Sequence, residues 1–430
     1  MVFDTSEHPS MKMKSVTCDE TGMTGPQWND SIRPDQRVSY LEALPGCETP
    51  AVSEKKRRVT YRSFVQAAAI VGFSSLFIPQ AATANPNIVD NRFNSVKSVQ
   101  EKSDYGLRNG SFIVVPVPFT NPIVGAGLAI GGGYLFQLDP EAETSFIGLG
   151  GMASDNNSSA YGVAINLSFG SGSSFNFALA EADLLYDLFV GPVEVPINQD
   201  GVLLNSGFDY GLTDTISVGA AVRYLDTTIS LQTAGASIPA DLIPDLGLEL
   251  LSLGGKFEWD IRDDSDYPTG GARLNVAANF GTSLSGPSRD YLYASANFDA
   301  YHSLSETTVV AGRLSTCGAS SNAPFFDKCS IGFSDGFRGF SPTQFYNTRL
   351  LSAQAEIRQR LGKRFGVVAF GGFGWTGPSF GSLTDNGLRA AGGLGVRYRV
   401  SQKFPIDFSV DMSMNNDSED FLYIYVGQRF

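Results

Sequence analysis

Apolar and polar residues alternate along most of the chain from Gly110 onward. Between positions 161 and 169 every second residue is apolar, and the residues between them are small or polar. The same period of two recurs at 271–280 and again at 406–413, where the polar face carries Asp407, Ser409, Asp411 and Ser413. This period predicts β-strands with one apolar and one polar face.

About sixteen segments show this pattern, among them 201–212, 348–361 and 420–430, and an even number is typical of bacterial barrels. The strands run about ten residues or more, which is the length that a tilted membrane strand needs. A soluble sandwich is the alternative, but the polar faces hold Gly, Ser, Asn and charge, with no bulky set for a separate core. The pattern therefore predicts an all-β, transmembrane antiparallel barrel over residues 108–430, closed so that no backbone group is unpaired in lipid.

The first part of the chain is typical of a targeting segment. A basic stretch at 55–62 precedes a short apolar run from Phe64 to Pro79, and Ala82-Thr83-Ala84 has the small-x-small form of a cleavage site. These features predict a signal peptide over 55–84, with an uncleaved membrane anchor as the alternative. Residues 1–54 are predicted to be an unstructured leader or a misplaced start, and residues 85–107 a short periplasmic lead. The predicted location is the outer membrane of a Gram-negative-type bacterium.

The composition argues against nucleic-acid binding and against enzymatic activity. The net charge is −13, and no basic patch stands out beyond residues 55–58, which argues against a nucleic-acid partner. After the predicted cleavage His302 is the one remaining histidine, on the apolar face of its strand with no positioned nucleophile near it. We therefore predict no enzymatic activity, no cofactor and no metal.

The stretch from Cys317 to Phe340 interrupts the alternating strands. It falls between the eleventh and twelfth predicted strands, so it is the sixth external loop if the N-terminus is periplasmic. Its two cysteines, Cys317 and Cys329, would most simply form one disulfide in an exported protein, worth about 3 kcal/mol, with two free thiols as the alternative. Arg338, between two aromatic residues, is either a solvated loop residue or the partner of an acidic side chain inside the barrel.

A second connection, residues 260–271, falls between the eighth and ninth strands on the periplasmic side. Pro268 and Gly271 suit a turn, and the segment also carries Asp260, Arg262 and Asp263.

Several of these motifs resemble the bacterial surface antigen family, the barrels of the barrel-assembly and two-partner-secretion transporter superfamily. The sequence around Asp260, Arg262 and Asp263, followed by Pro268 and Gly271, resembles the periplasmic turn motif of that family. Its loop motif, an arginine and a glycine between aromatic residues, is matched by Phe337, Arg338, Gly339 and Phe340. The terminal Phe430 resembles the C-terminal signal of outer-membrane barrels, although Gln428 departs from the usual apolar residue. The likeness covers roughly residues 250–430.

The resemblance implies sixteen strands and a sixth loop that inserts into the lumen, where its arginine pairs with acids on strands twelve and thirteen. Alternation on strand twelve turns Glu356 inward, which makes it a carboxylate available to Arg338. On strand thirteen Gly372 stands where the family carries an aspartate. Either Glu356 therefore serves alone or the loop is held in another way.

The same resemblance implies insertion or translocation of protein or lipid at the outer membrane. Implied partners are outer-membrane lipid, unfolded outer-membrane or secreted proteins as substrates, and the barrel-assembly machinery that inserts the chain itself. Family members with assembly roles carry periplasmic POTRA domains, whereas about twenty residues stand in that place here, so the barrel alone does not license that role. A passive solute channel, lined by Arg273, Lys256, Glu258, Arg358 and Asp407, or a structural barrel is the alternative.

Overall fold

The computed structural model describes residues 106–107, 110–139, 142, 144–191, 193–232, 243–265, 267–399 and 407–430. The predicted leader, signal peptide and nearly all of the short lead lie outside the described residues. Sixteen strands form one closed antiparallel barrel, which confirms the predicted fold class. Among the described residues, no helix has the length and apolar character to cross a membrane.

The strands are numbered in chain order, and two of them, β12 and β13, form a small separate hairpin inside the sixth loop. The twelfth to sixteenth barrel strands are therefore β14 to β18. Their bounds are β1 (Ser111–Asn121), β2 (Gly125–Gln137), β3 (Thr144–Ser154), β4 (Ser159–Phe169), β5 (Ser173–Val190), β6 (Val193–Gly211), β7 (Ile216–Leu231), β8 (Gly247–Asp260), β9 (Gly271–Ser285), β10 (Asp290–Ser305), β11 (Thr308–Ala319), β12 (Cys329–Ser330), β13 (Tyr346–Asn347), β14 (Arg349–Leu361), β15 (Phe365–Gly377), β16 (Arg389–Arg399), β17 (Asp407–Asn415) and β18 (Asp420–Val426).

The interior of the barrel contains an apolar core built with the sixth loop. Inward-facing Val115, Val117 and Phe119 of β1 belong to one buried cluster with the loop residues Phe337 and Phe340. The outward side of the same strand is exposed, as an apolar surface in lipid must be, with Phe112 at 86% and Val114 at 75%. The loop thus fills part of the lumen with its aromatic side chains.

The sixth predicted strand was wrong at its start. β6 begins at Val193, not at 201, and pairs with β5 up to Val190. Pro196 and the polar residues after it lower the β-propensity of this segment, so no strand was predicted there. The hairpin forms because its inward side is apolar and joins the same buried cluster as the loop, through Leu184, Tyr186, Leu188, Val195 and Ile197.

The last predicted strand was wrong at its end. β18 stops at Val426, not at Phe430, because Gly427 adopts a left-handed φ of +91° and its amide bonds the Asp407 carbonyl oxygen at 2.8 Å. The chain then leaves the barrel wall and enters the lumen. Phe430 is buried against Tyr301 and Ala311, whereas strand alternation would have placed it on the lipid face.

Candidate functional site

The sixth loop, residues 320–348, is tied to the barrel wall where it begins. Cys317, in β11, forms a disulfide with Cys329, and their Cα atoms are 5.7 Å apart. Asp327, two residues before Cys329, accepts hydrogen bonds from two barrel strands. The donors are Arg223 Nη1 on β7, at 2.9 Å, and the Tyr291 hydroxyl on β10, at 2.5 Å. One covalent bond and one buried ion pair therefore hold the first part of the loop against three strands.

Removing the disulfide should loosen this anchor. For Cys317→Ser combined with Cys329→Ser, we expect a loss of about 3 kcal/mol in the free energy of unfolding, because the bridge closes a short loop. The temperature at which the barrel loses its folded migration on a detergent gel measures the effect. A reductant should lower this temperature in the wild type and leave it unchanged in the variant. Equal temperatures for the wild type and the variant, each with and without reductant, would contradict the prediction.

Arg338, in the second half of the loop, is buried and 3% exposed. Its guanidinium donates to Glu356 Oε2 on β14 and to Asp411 Oδ2 on β17, the second at 2.5 Å. Below it the ring of Phe370 lies 3.5 Å from the guanidinium carbon, a cation–π distance. We call Arg338 with Glu356 and Asp411 the loop lock.

The structure brings Arg338 and Glu356 together and supplies a second carboxylate that was not anticipated. Asp411 comes from the fifteenth barrel strand, not from the thirteenth, where Gly372 has no carboxylate to offer. A Cβ atom at Gly372 would lie 2.4 Å from Cε2 of Phe337, so the phenyl ring of the loop motif occupies that space. The alternation at 406–413 already placed Asp411 on an inward face; its distance from Arg338 along the chain hid the pairing.

The loop lock connects the loop to the last three strands. Arg397 on β16 donates to Asp411 Oδ2 at 3.2 Å, and the Tyr425 hydroxyl on β18 donates to the same oxygen at 2.6 Å. The amide of Gly339 donates to the Tyr423 hydroxyl, also on β18, at 2.9 Å. Movement of β18 would therefore disturb contacts made directly with the loop motif.

Phe340, the last residue of the loop motif, packs its ring against two other phenylalanine rings. Its ring stacks on Phe337 with centroids 5.7 Å apart and meets Phe345 edge to face at 5.5 Å. Gly339, between Arg338 and Phe340, has a φ of +116°, and a Cβ there would lie 2.4 Å from the Ala391 side chain. A glycine is needed at this position for both reasons.

The turn between β8 and β9 is built by its charged residues. Arg262 Nε donates to Asp260 Oδ1 at 2.9 Å, and the amide of Thr269 donates to Asp263 Oδ1 at 2.9 Å. Burial raises the pKa of Asp263, but the hydrogen bonds from Thr269 and from the Gly270 amide outweigh it and hold the pKa below its ordinary value. Pro268 is buried, and Gly271 has a φ of +93°. These five motif residues thus form one structured turn.

Charged side chains predicted to line the lumen face inward and form ion pairs. Arg273 pairs with Glu258, and Lys256 Nζ lies 3.5 Å from Asp209 Oδ1. Arg358 Nε donates to Glu356 at 2.7 Å, and its Nη2 donates to the Phe430 carbonyl oxygen. His302 is exposed on the outer face. Within the described ranges, no group of three or more His, Cys, Asp or Glu residues could hold a metal ion.

The fold and the motifs agree with comparisons to known proteins. A profile of the Omp85 superfamily domain matches residues 157–430. BamA from Haemophilus ducreyi lacking POTRA domains 1–3 is similar in structure, with a TM-score of 0.50 and 14% identity over 80% of this chain and 78% of that one. CdiB from Escherichia coli has a TM-score of 0.52 and 13% identity over 73% of this chain, which spans 62% of the CdiB structure. A search of curated proteins found no significant match.

At 13% and 14% identity, the likeness to the two solved structures establishes the fold alone. The family itself is shown by the profile match, which covers more than half of the residues. It includes β4 through β18, the sixth loop and the turn between β8 and β9. The family resemblance read from the motifs is therefore confirmed, and with it the location in the outer membrane. The chain belongs to the Omp85 superfamily of outer-membrane β-barrels.

Proposed function

We propose that this barrel inserts or translocates protein or lipid at the outer membrane, and that it does so by opening between β1 and β18. The observation that carries the proposal is the weak pairing of these two strands. One registered pair, Thr120 with Ile424, joins them, whereas eleven pairs join β1 to β2 and seven join β17 to β18. The barrel is thus closed by its weakest strand contact at this seam.

Two prolines supply a physical reason for the weak seam. Pro116 and Pro118 precede Thr120 by four and two residues, so the backbone groups at all three positions point to the same edge of β1. A proline has no N–H to donate, and within sheets it is tolerated where that side of the strand is unpaired. The carbonyl oxygen of Ile113 points toward Gly132 of β2, so the backbone groups at odd positions of β1 face β2 and the prolines, at even positions, lie on the edge that faces β18.

The loop lock supports the proposal because it links the lumen to the seam. Asp411 and the two tyrosines Tyr423 and Tyr425 bring β17 and β18 into contact with Arg338 and Gly339. A substrate that separates β18 from β1 would pull on these contacts. We propose that the loop lock holds the barrel closed until a protein or lipid substrate engages the seam.

A solute channel is the second candidate. It is favoured by the polar inward faces of β8 and β9, where Lys256, Glu258 and Arg273 line the wall. The sixth loop would then narrow a permanent pore, and the seam would have no role in the transport of solutes.

A disulfide across the seam tests the first proposal. Thr120→Cys with Ile424→Cys places two cysteines at registered positions of neighbouring strands, close enough for a disulfide. The variant with the seam disulfide is expressed in a strain without the native gene. It should fail to restore the abundance of other barrels, measured in a quantitative outer-membrane proteome, or of surface lipid, measured by lipid analysis. The matched control, Ile147→Cys with Ile165→Cys, bridges β3 and β4, which are already joined by eight registered pairs, and should restore it.

Two outcomes would contradict the proposal. If the seam-bridged chain complements as well as the control, the strands need not separate. If deletion of the gene leaves the proteome unchanged, no assembly role exists, and ion conductance of the refolded chain in a planar bilayer then tests the channel.

A further inference from the structure

Three arginine side chains surround one tyrosine ring at the end of the barrel that carries the turn between β8 and β9. The guanidinium carbon of Arg360 lies 4.1 Å from the centroid of the Tyr267 ring, that of Arg399 5.4 Å and that of Arg358 5.7 Å. Arg358 and Arg360 come from β14, Arg399 from β16, and Tyr267 from the turn. The turn therefore folds over the mouth of the barrel and holds three cations around one ring.

The three arginines of this cluster share two carboxylates, Glu356 and Asp407, as their ion-pair partners. Asp407 accepts hydrogen bonds from both Arg360, at 3.1 Å, and Arg399, at 3.2 Å, while Arg358 must share Glu356 with Arg338. Two groups of ion pairs, linked through hydrogen bonds of Gln428, together contain five arginines and three carboxylates, which leaves two positive charges in excess: Arg338, Arg358, Arg360, Arg397 and Arg399 against Glu356, Asp407 and Asp411. A carboxylate at Phe430 would balance one of these charges and leave the other.

Two nitrogens of the cluster are also buried without an acceptor among the described residues. They are Nη1 of Arg358 and Nη2 of Arg399. The Arg358 side chain is 1% exposed and that of Arg399 is 21% exposed, so the cluster is reached from the side of Arg399. Buried N–H groups without an acceptor are rare because they lose their hydration and gain nothing in return. A water molecule could accept these hydrogen bonds, but it would leave the excess charge in place.

An anion with several oxygens meets both requirements at once. We propose that Arg358, Arg399 and Tyr267 form a binding site for a phosphate group at the periplasmic mouth of the barrel. Guanidinium groups bind phosphate through charge-assisted hydrogen bonds in a fixed planar geometry. The group comes either from free phosphate or from the headgroup of an anionic lipid.

The turn between β14 and β15 adds two positively charged residues at this end of the barrel. Lys363 and Arg364 are exposed in the turn between β14 and β15, three to four residues from Arg360. In a chain whose net charge is −13, this end of β14 concentrates positive charge at the rim of the barrel. Basic pockets at a membrane surface attract anionic headgroups, so the rim could guide a lipid phosphate toward the cluster.

Phosphorus NMR of the purified full chain in dodecyl maltoside, a detergent without phosphorus, tests the site. We expect the inorganic phosphate signal to broaden with the wild type, and Arg399→Gln to weaken binding about tenfold, since it removes a charge-assisted hydrogen bond. The matched control is Arg389→Gln, which removes one positive charge from a pair with Asp417 near the other end of β16. It should bind like the wild type. Tyr267→Leu, which removes the ring, should also weaken binding and serves if Arg399→Gln fails to fold.

A second measurement distinguishes the two sources of the phosphate group. The chain is loaded with equal amounts of phosphatidylglycerol and phosphatidylcholine, and native mass spectrometry records which lipid stays bound. Retention of phosphatidylglycerol by the wild type and the Arg389 variant, but not by the Arg399 variant, would identify a lipid headgroup. If neither inorganic phosphate nor phosphatidylglycerol distinguishes the wild type from the Arg399 variant, the site does not exist. That outcome would leave the proposal about the seam untouched.

Discussion

Replacing Arg338 with alanine should lower the free energy of unfolding by about 3 to 5 kcal/mol, the cost typical of breaking a buried ion pair from one side. Arg338 is 3% exposed, and its two partners, Glu356 and Asp411, are 1% and 0% exposed. Without the arginine, the two carboxylates keep Arg358 and Arg397 but lose the charge between them. Phe370 also loses the cation over its ring. The loop motif would then be held by aromatic packing and by the hydrogen bond from the Gly339 amide to the Tyr423 hydroxyl.

The unfolding temperature of the folded band on a detergent gel, and protease cleavage of the sixth loop, measure this change. Arg338→Lys should restore part of the stability, because an ammonium keeps the charge but not the planar geometry that bridges two carboxylates. Arg389→Ala is the matched control, since it removes a surface ion pair with Asp417 and a cation over the ring of Phe345, each worth about 0 to 1 kcal/mol. If Arg338→Ala and Arg389→Ala unfold at the same temperature, the loop lock does not stabilise the barrel.

Placing the family's aspartate at position 372 should weaken the loop and not strengthen it. A Cβ atom at Gly372 would lie 2.4 Å from Cε2 of Phe337 and 2.5 Å from the backbone oxygen of Ala353. The carbonyl oxygen belongs to the neighbouring strand and cannot move away without breaking the β14–β15 ladder. We expect Gly372→Ala to cost about 1 to 3 kcal/mol through overpacking, and Gly372→Asp to cost more because it also buries a carboxylate.

Gly371→Ala provides the comparison for this substitution. Gly371 precedes Gly372 on the same strand, and a Cβ there would come no closer than 3.4 Å to any atom, the Ala391 carbonyl oxygen. Its unfolding temperature should stay close to that of the wild type, while Gly372→Ala and Gly372→Asp lower theirs in that order. A Gly372→Asp chain more stable than the wild type would mean that Phe337 can leave its place and that the aspartate takes over as a partner of Arg338.

The barrel architecture was available from the sequence because it depends on a local pattern. A period of two fixes which side chains face lipid, and this pattern found sixteen strands and turned Glu356 inward. The disulfide between Cys317 and Cys329 could be predicted from the sequence because they are the two cysteines of the predicted mature chain and lie twelve residues apart. The boundaries failed where local propensity and burial disagreed, as at Pro196 in β6 and at Gly427 after β18. In both places contacts with distant residues decided the course of the backbone.

The sequence by itself determined the class of fold, the family and the identity of the arginine in the sixth loop. Only the tertiary structure decided that Asp411 completes the loop lock, that Phe337 occupies the space at Gly372, and that Tyr267 gathers three arginines at the mouth. Alternation gives each side chain its face, but it cannot say which faces meet across a closed barrel. That depends on strand register and on the path of a loop through the lumen, and both are set by contacts between residues far apart in the chain.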